Sequence, residues 1–452
     1  MYRAAVEELD AFITTHPNIT TFQLLLCDSG GILRGKHLRR EEMRALYEHG
    51  RALPSSLMGL TLRGEDVEET GLVWDVGDAD GIAFPVTGSL RPVPWLTDTA
   101  QVQVMLDSER GGYGRHADPR ALLMDVIAGL QRDGLHPVMA GELEFYLLEE
   151  DDSGRVLPAR LSNGRRPQDP GVYGIDELEG AMPFLEALYA ACEVQGIPAR
   201  TAISEYGCGQ LEITLEHRSC ALQAMDETLL YKRLVKAVAA QQGLIACFMA
   251  KPFAGMVGNG FHLHISLADE AGNNLFASEA PEGTPLLRQS IAGLQTSLAD
   301  SMALFCPNAN SYRRFQSHSY APVAPTWGVN NRTVAFRVPL GPASSRHVEH
   351  RICGADANPY LAAAAVLAGM HRGIRERMDP GPAVDGNGYA QQREPMSLEW
   401  HSALERLERS AWARNMLGTR FLDIFLAVKR AEYRQFMGEV GQQDYDWYLH
   451  RA

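Results

Sequence analysis

The stretch GELEFYLLEE, residues 141–150, alternates charged and apolar side chains before closing on two further glutamates. Successive side chains of an extended chain face opposite ways. Glu142 and Glu144 therefore share one face, and Leu143, Phe145 and Leu147 the other. That pattern predicts a strand with one face on a core and carboxylates on the other. Three more segments read the same way. FHLHISL (261–267) sets His262, His264 and Ser266 opposite Phe261, Leu263, Ile265 and Leu267. SEYGCGQLEITLE (204–216) places Gln210, Glu212, Thr214 and Glu216 on one face, with Glu205 just before a Gly-containing bend. In RHVEHR (346–351), His347, Glu349 and Arg351 fall together.

Any one of these is most simply a half-solvated antiparallel strand. Together they supply five strand-borne carboxylates and several imidazoles and guanidiniums. Carboxylate oxygens suit hard divalent cations such as Mg2+ or Mn2+, and an imidazole adds tolerance for Mn2+. A pair of such cations is a common clamp for a transferring phosphoryl group. The chain has no GxxxxGK[ST] loop, no kinase HRD or DFG set, and no GxGxxG after an early strand. A nucleotide would therefore be held some other way.

Outward from these strands the chain divides in two. Residues 1–100 hold an opening amphipathic helix, short apolar strands around the turn Asp28-Ser29-Gly30-Gly31, and a helix in REEMRALYEHGR (40–51). Asp118 and Pro119 then give an N-cap and a proline at the first helical position. Helices are expected over 120–132, 177–195, 221–242, 284–304 and 359–377, with a helical C-terminal part from about Leu398. Residues 151–173 read as a surface excursion. The expected class is α+β: a small N-terminal unit, 1–112, and a larger one, 113–452.

The 452 residues carry a formal charge of −14, which disfavours a nucleic-acid or anionic-membrane surface. No run of eighteen apolar residues is present, and the N-terminus lacks a signal-peptide layout, so a cytoplasmic address is the default. Seven scattered cysteines without a CxxC fit reduced, buried thiols.

The ordered set of motifs resembles the glutamine synthetase family over nearly the whole chain. It comprises GELEFYLLE (141–149), SEYGCGQLEITLE (204–216), KPFAGMVGNGFHLHISL (251–267), NSYRRF (310–315), NNRTVAFRVP (330–339) and EHRICGADANPYLAAA (349–364). The resemblance implies a β-grasp N-terminal domain and a catalytic domain built on a curved antiparallel sheet with flanking helices. It also implies a homo-oligomer, hexamer or dodecamer, with active sites between subunits. Two or more Mg2+ or Mn2+ ions are implied, one on Glu144, Glu205 and Glu212 and another on Glu142, His262 and Glu349. ATP is the implied co-substrate. His264 and Ser266 match nucleotide contacts, Arg332 and Arg337 the phosphate-facing arginines, and Gly258, Gly260, Arg314 and Arg351 the glutamate site. Two cations and two arginines offset the charge that builds as a γ-carboxylate attacks ATP.

Two departures bear on the acceptor. Family members that use ammonium carry an aspartate in the neighbour's N-terminal domain and a glutamate on a flap after NSYxR. Here Thr61 and Tyr320 fall at those places, with Glu65 and Asp66 near the first. A small hydrated cation needs anionic partners to be desolvated, whereas an alkylamine also offers apolar surface to bury. The pattern is similar to the γ-glutamylamine branch of the family, which includes γ-glutamylputrescine and γ-glutamylpolyamine synthetases, and GILRGK (31–36) adds to it. Thr61, Tyr320 and Trp327 are the expected amine pocket, and Glu205 the candidate general base. His347 stands where the family commonly has an arginine, and Tyr389 lies near the place of a regulatory tyrosine. The alternatives are glutamine synthesis from ammonia, if an acid such as Glu65 or Asp66 enters the acceptor pocket, and a non-catalytic homologue, against which the full ligand set stands.

Overall fold

β-Branched and aromatic runs bounded by Gly, Asp and Pro build two sheets. The computed structural model describes residues 3–107, 113–391 and 396–451. In the first sheet Thr21–Cys27 pairs in parallel with Thr99–Leu106, Phe22 opposite Ala100. Antiparallel partners flank them, among them His37–Arg39 and Asp80–Pro85. The helices Val6–Thr15 and Met43–His49 pack on this small mixed sheet.

The second sheet runs in the order Ala199–Ser204, Gln210–Leu215, His136–Glu150, Phe261–Ala268, Val348–His350, Phe336–Val338 and Trp327–Val329. Its neighbours are antiparallel except the last pair, which is parallel, a departure from the all-antiparallel expectation. Val156–Pro158, inside the expected excursion 151–173, returns to pair with the end of the long strand. Leu143, Phe145, Leu211, Ile213, Leu263 and Ile265 are buried on the apolar face, so the alternation in the sequence is the alternation of the sheet. The helix Ala221–Gln241 packs on that face; a Cβ at Gly141 would stand 2.7 Å from the Thr228 hydroxyl. Behind it Pro285–Phe305 and Pro359–Arg375 cross closely.

Helix starts follow their caps. Asp118 accepts from the amides of Arg120 (2.8 Å) and Ala121 (3.1 Å), and Asn358 from that of Tyr360 at 2.9 Å. The helix expected over 177–195 is two, Ile175–Gly180 and Met182–Gln195. Pro183 has no N–H to donate into a preceding turn and sits instead in the first turn of the second helix. The C-terminal part is helical over Trp400–Arg409, Ala411–Leu417, Thr419–Gly438 and Gln442–Tyr448.

The expected boundary at 112/113 touches residues 108–112, which lie outside the described ones. The sheets are separate, but their cores interlock. Ile424 joins the N-terminal core, while Leu25 and Cys27 join the larger one. No described helix is long and apolar enough to cross a membrane.

Candidate active site

Strand register brings the polar residues into one row. Glu142 lies opposite His262 on one side and Thr214 on the other. Glu144 faces Glu212, and Glu349 faces both His264 and Arg337. Side chains of i and i+2 on adjacent strands therefore meet over a patch spanning five strands.

Glu142 is the hub. One oxygen lies 2.6 Å from His262 Nδ1 and the other 3.2 Å from His264 Nε2. Burial opposes its ionisation, but these two imidazoles outweigh burial and hold its pKa well below the ordinary value. His264 Nδ1 stands 3.0 Å from His347 Nε2, while His347 Nδ1 donates to the Ser345 carbonyl at 2.7 Å. Those partners make His347 neutral and His264 a donor on both nitrogens. The pKa values agree: burial and then His264 push His347 down to about 4, whereas Glu142 raises His264 against its burial.

Glu349, 1% exposed, accepts from Arg337 Nη1 at 2.8 Å and from Arg351. Although burial resists it, Arg351 and the nearby histidines bring its pKa to about 2. Glu205 and Glu212 have the opposite fate. Burial and then Glu144 push Glu205 up to about 7, and burial with Glu142, Glu144 and Glu205 raises Glu212 well above its ordinary value. Closely packed carboxylates repel, which favours the protonated form of those without a paired cation.

This donor set fits divalent cations. Ligand atoms of Glu142, His264 and Glu349 lie within 4.8 Å of one another, and so do those of Glu142, Glu212 and His262. Glu142 is thus common to both groups. Glu144 sits beside them, its carboxylate accepting from the Gly260 amide at 2.6 Å and its Oε1 3.9 Å from His262.

The loop ahead of the histidine strand is pinned by Asn259, fully buried, whose carboxamide accepts from Gln210 at 2.8 Å. The flanking glycines leave room for nothing larger. A Cβ on Gly258 would stand 2.4 Å from the Ala250 carbonyl, and one on Gly260 2.8 Å from His262 Nε2. Arg314, buried beside this loop, donates to the carbonyls of Ile352 (2.7 Å) and Arg351 (3.2 Å). Arg332 is exposed, and its charge lowers the pKa of Glu205. Ser266 is half-buried on the face of His262 and His264.

Tyr320 is 41% exposed with a left-handed φ of 59°, a strained conformation for a residue with a Cβ. Its hydroxyl is 3.3 Å from that of Tyr206, with ring centroids 5.0 Å apart. Tyr389 donates to the Ala321 carbonyl at 3.0 Å and so anchors the Tyr320 segment. Tyr206 was not among the expected residues, although its place directly after Glu205 is a usable signal.

Two expected pocket residues are not brought into this group. Trp327 is a core residue, 1% exposed, in the sheet's last strand, and donates to the Gly381 carbonyl at 3.1 Å. Thr61, also 1% exposed, lies in the N-terminal unit, where its hydroxyl accepts from the Glu65 amide at 3.2 Å.

The family model described as the glutamine synthetase catalytic domain matches residues 116–448. The γ-glutamylputrescine synthetase of Escherichia coli strain K12 is 36% identical over 99% of this chain and 96% of its own length. The glutamate–isopropylamine ligase of a Pseudomonas species is 32% identical over 97% and 96% of the two chains. A solved complex of GmaS with ADP aligns at a TM-score of 0.84 and 26% identity, covering 98% of this chain and 99% of that one.

Proposed function

We propose, for a chain that belongs to the glutamine synthetase family, that it is an ATP-dependent ligase joining the γ-carboxylate of glutamate to an organic amine through γ-glutamyl phosphate. The observation that carries the amine reading is the tyrosine pair, Tyr206 on Tyr320, where an ammonium site would need a flap carboxylate. Two full-length relatives named for putrescine and isopropylamine ligation support it.

In this reading Glu142, Glu144, Glu205, Glu212, His262 and Glu349 would hold two or more Mg2+ or Mn2+ ions. Held by these residues, such ions would supply charge neutralisation for the phosphates. That burial and neighbouring carboxylates raise Glu205 and Glu212 supports a cation-binding role for them. His264 and Ser266 face the nucleotide, and Arg332 and Arg337 face the phosphates. Gly258, Gly260, Arg314 and Arg351 receive glutamate. A γ-carboxylate oxygen attacks the terminal phosphorus and ADP leaves. The deprotonated amine then attacks the acyl carbon, and phosphate departs with the former carboxylate oxygen. Glu205, next to Tyr206, is the candidate that takes the proton the alkylammonium loses. Tyr206 and Tyr320 present aromatic faces to the alkyl part and offer weak cation–π attraction before deprotonation. Thr61 brings no charge to the acceptor side.

A homo-oligomer, hexamer or dodecamer, with shared active sites completes the reading. It is supported by large apolar side chains left exposed at the C-terminus, Val440 (70%), Trp447 (59%) and Leu449 (62%) among them. The reaction class is tested with glutamate labelled with 18O in its γ-carboxylate. Transfer of one label to the released phosphate is expected for each amide formed. Unlabelled phosphate would exclude the acyl phosphate.

A further inference from the structure

A cavity of about 1060 Å3 shares none of its walls with the carboxylate cluster. It opens between the helices Ala221–Gln241 and Thr419–Gly438, beside the turn at Gly30 and Gly31. Five cationic side chains and three carboxylates line it, a positive hollow in a chain whose net charge is −14.

The three carboxylates already have partners. Asp356 accepts from Asn308 and Ser311, both at 2.8 Å, Glu432 from Lys429 at 2.9 Å, and Glu439 pairs with Arg63 at 2.5 Å. Two lysines do not. Lys232 and Lys236, one helical turn apart, hold their ammonium groups 5.6 and 5.8 Å from the centroid of the Phe248 ring. Lys232 donates only to the Ala355 carbonyl, at 2.7 Å. Among the described residues Lys236 has no hydrogen-bond or ion-pair partner. Burial and then repulsion from Lys236 push Lys232 down to about 8, with Asp356 offsetting part of this. Met249 (47% exposed) and Phe436 (48% exposed) supply apolar surface in the same hollow. Neighbouring ammonium groups without a carboxylate partner, Lys232 half-buried and Lys236 exposed, beside apolar walls match an anion with an apolar body.

We propose that this cavity binds a small organic acid, its carboxylate or phosphate between Lys232 and Lys236 and its apolar body against Met249 and Phe436. The ligand touches a wall that is bonded into the substrate loop. Asn259 donates to the carbonyls of Cys247 (3.1 Å) and Met249 (2.9 Å) and accepts at its own carbonyl from the Ala355 amide (3.1 Å). The site is thus separate from catalysis yet hydrogen-bonded to the residue between Gly258 and Gly260.

The test is equilibrium dialysis of the intact protein with naphthalene-2-carboxylate, 2-naphthyl phosphate and the uncharged naphthalene-2-carboxamide. Saturating Mg-ADP is present to fill the nucleotide site. At least one acid is expected to bind, with the carboxamide weaker by about tenfold or more. Lys236→Gln should weaken the acid by about tenfold and leave the carboxamide alone, and Lys236→Arg should restore the acid. The better of the two acids identifies the anion. Equal binding of acid and carboxamide, indifference to Lys236→Gln, or no binding, as when a second copy of the chain fills the hollow, overturns the proposal. No turnover is measured, so the result is independent of the amine reading.

Discussion

Glu349 joins three kinds of partner: two arginines, the face of His264 across the strand pair, and His262 at 3.7 Å. Glu349→Gln keeps the shape and removes the charge. ATP turnover should fall by about a hundredfold or more while the melting temperature stays within a few degrees. Full turnover would contradict the ligand role. Glu205 gives a pH-dependent prediction. Its folded pKa of about 7 lies above its ordinary 4.5, so its contribution to stability is complete below about 4.5 and is lost as pH rises through 7. A divalent cation needs the deprotonated form and reverses that penalty. Adding Mn2+ should therefore raise the melting temperature more at pH 8 than at pH 5.5, and calorimetry at pH 6.5 should show proton release on binding. Equal stabilisation at both pH values would contradict it. Glu142, Glu144, Glu212 and Glu349 were legible in the sequence because alternation places each on the polar face of its strand, whereas Glu205 lies just past the end of its strand. Tyr206 was not, because its role depends on a ring 114 positions away. Trp327, expected beside the acceptor, is buried in the single chain, and proximity in sequence to the flap does not fix which way an aromatic side chain points.

Glycines set how closely elements approach. Where Pro285–Phe305 crosses Pro359–Arg375, a Cβ on Gly373 would stand 2.0 Å from the Gln289 carbonyl oxygen and 2.7 Å from Gly293 Cα. Neither neighbour is a flexible side-chain tip, so the helices would have to part. Gly373→Ala should cost roughly 1–3 kcal/mol or more, read as a lower urea midpoint. An unchanged midpoint would mean that the crossing is looser than drawn. The long helices were readable from caps and periodicity, since Asp118, Thr284 and Asn358 each accept backbone N–H groups where the chain turns helical. The break at Ala181 was less so: the apolar pattern runs through it, and only Pro183 marks the new start. The parallel pair Trp327–Val329 with Phe336–Val338 carries no local signature, because strand direction is fixed by the path of the chain between them.

At the scale of the molecule, the sequence gives up the reaction class more readily than the acceptor. The metal-compatible row is assembled within one sheet of one chain, from strands whose pattern is local. The acceptor side is not, because Thr61 is enclosed in the N-terminal unit and its bearing on a site depends on how copies of the chain assemble. Large apolar side chains near the C-terminus, Val440, Trp447 and Leu449 among them, are exposed in the single chain. What the single chain does show is an aromatic wall, Tyr206 with Tyr320, next to the candidate base Glu205. The most direct measurement is phosphate release from ATP with glutamate and Mg2+, compared across ammonium, putrescine, spermidine, butylamine and benzylamine. The account predicts that at least one organic amine is used with a higher kcat/KM than ammonium, and that Tyr320→Glu narrows the difference. Preference for ammonium in the unaltered protein would contradict it and make the chain a glutamine-forming enzyme.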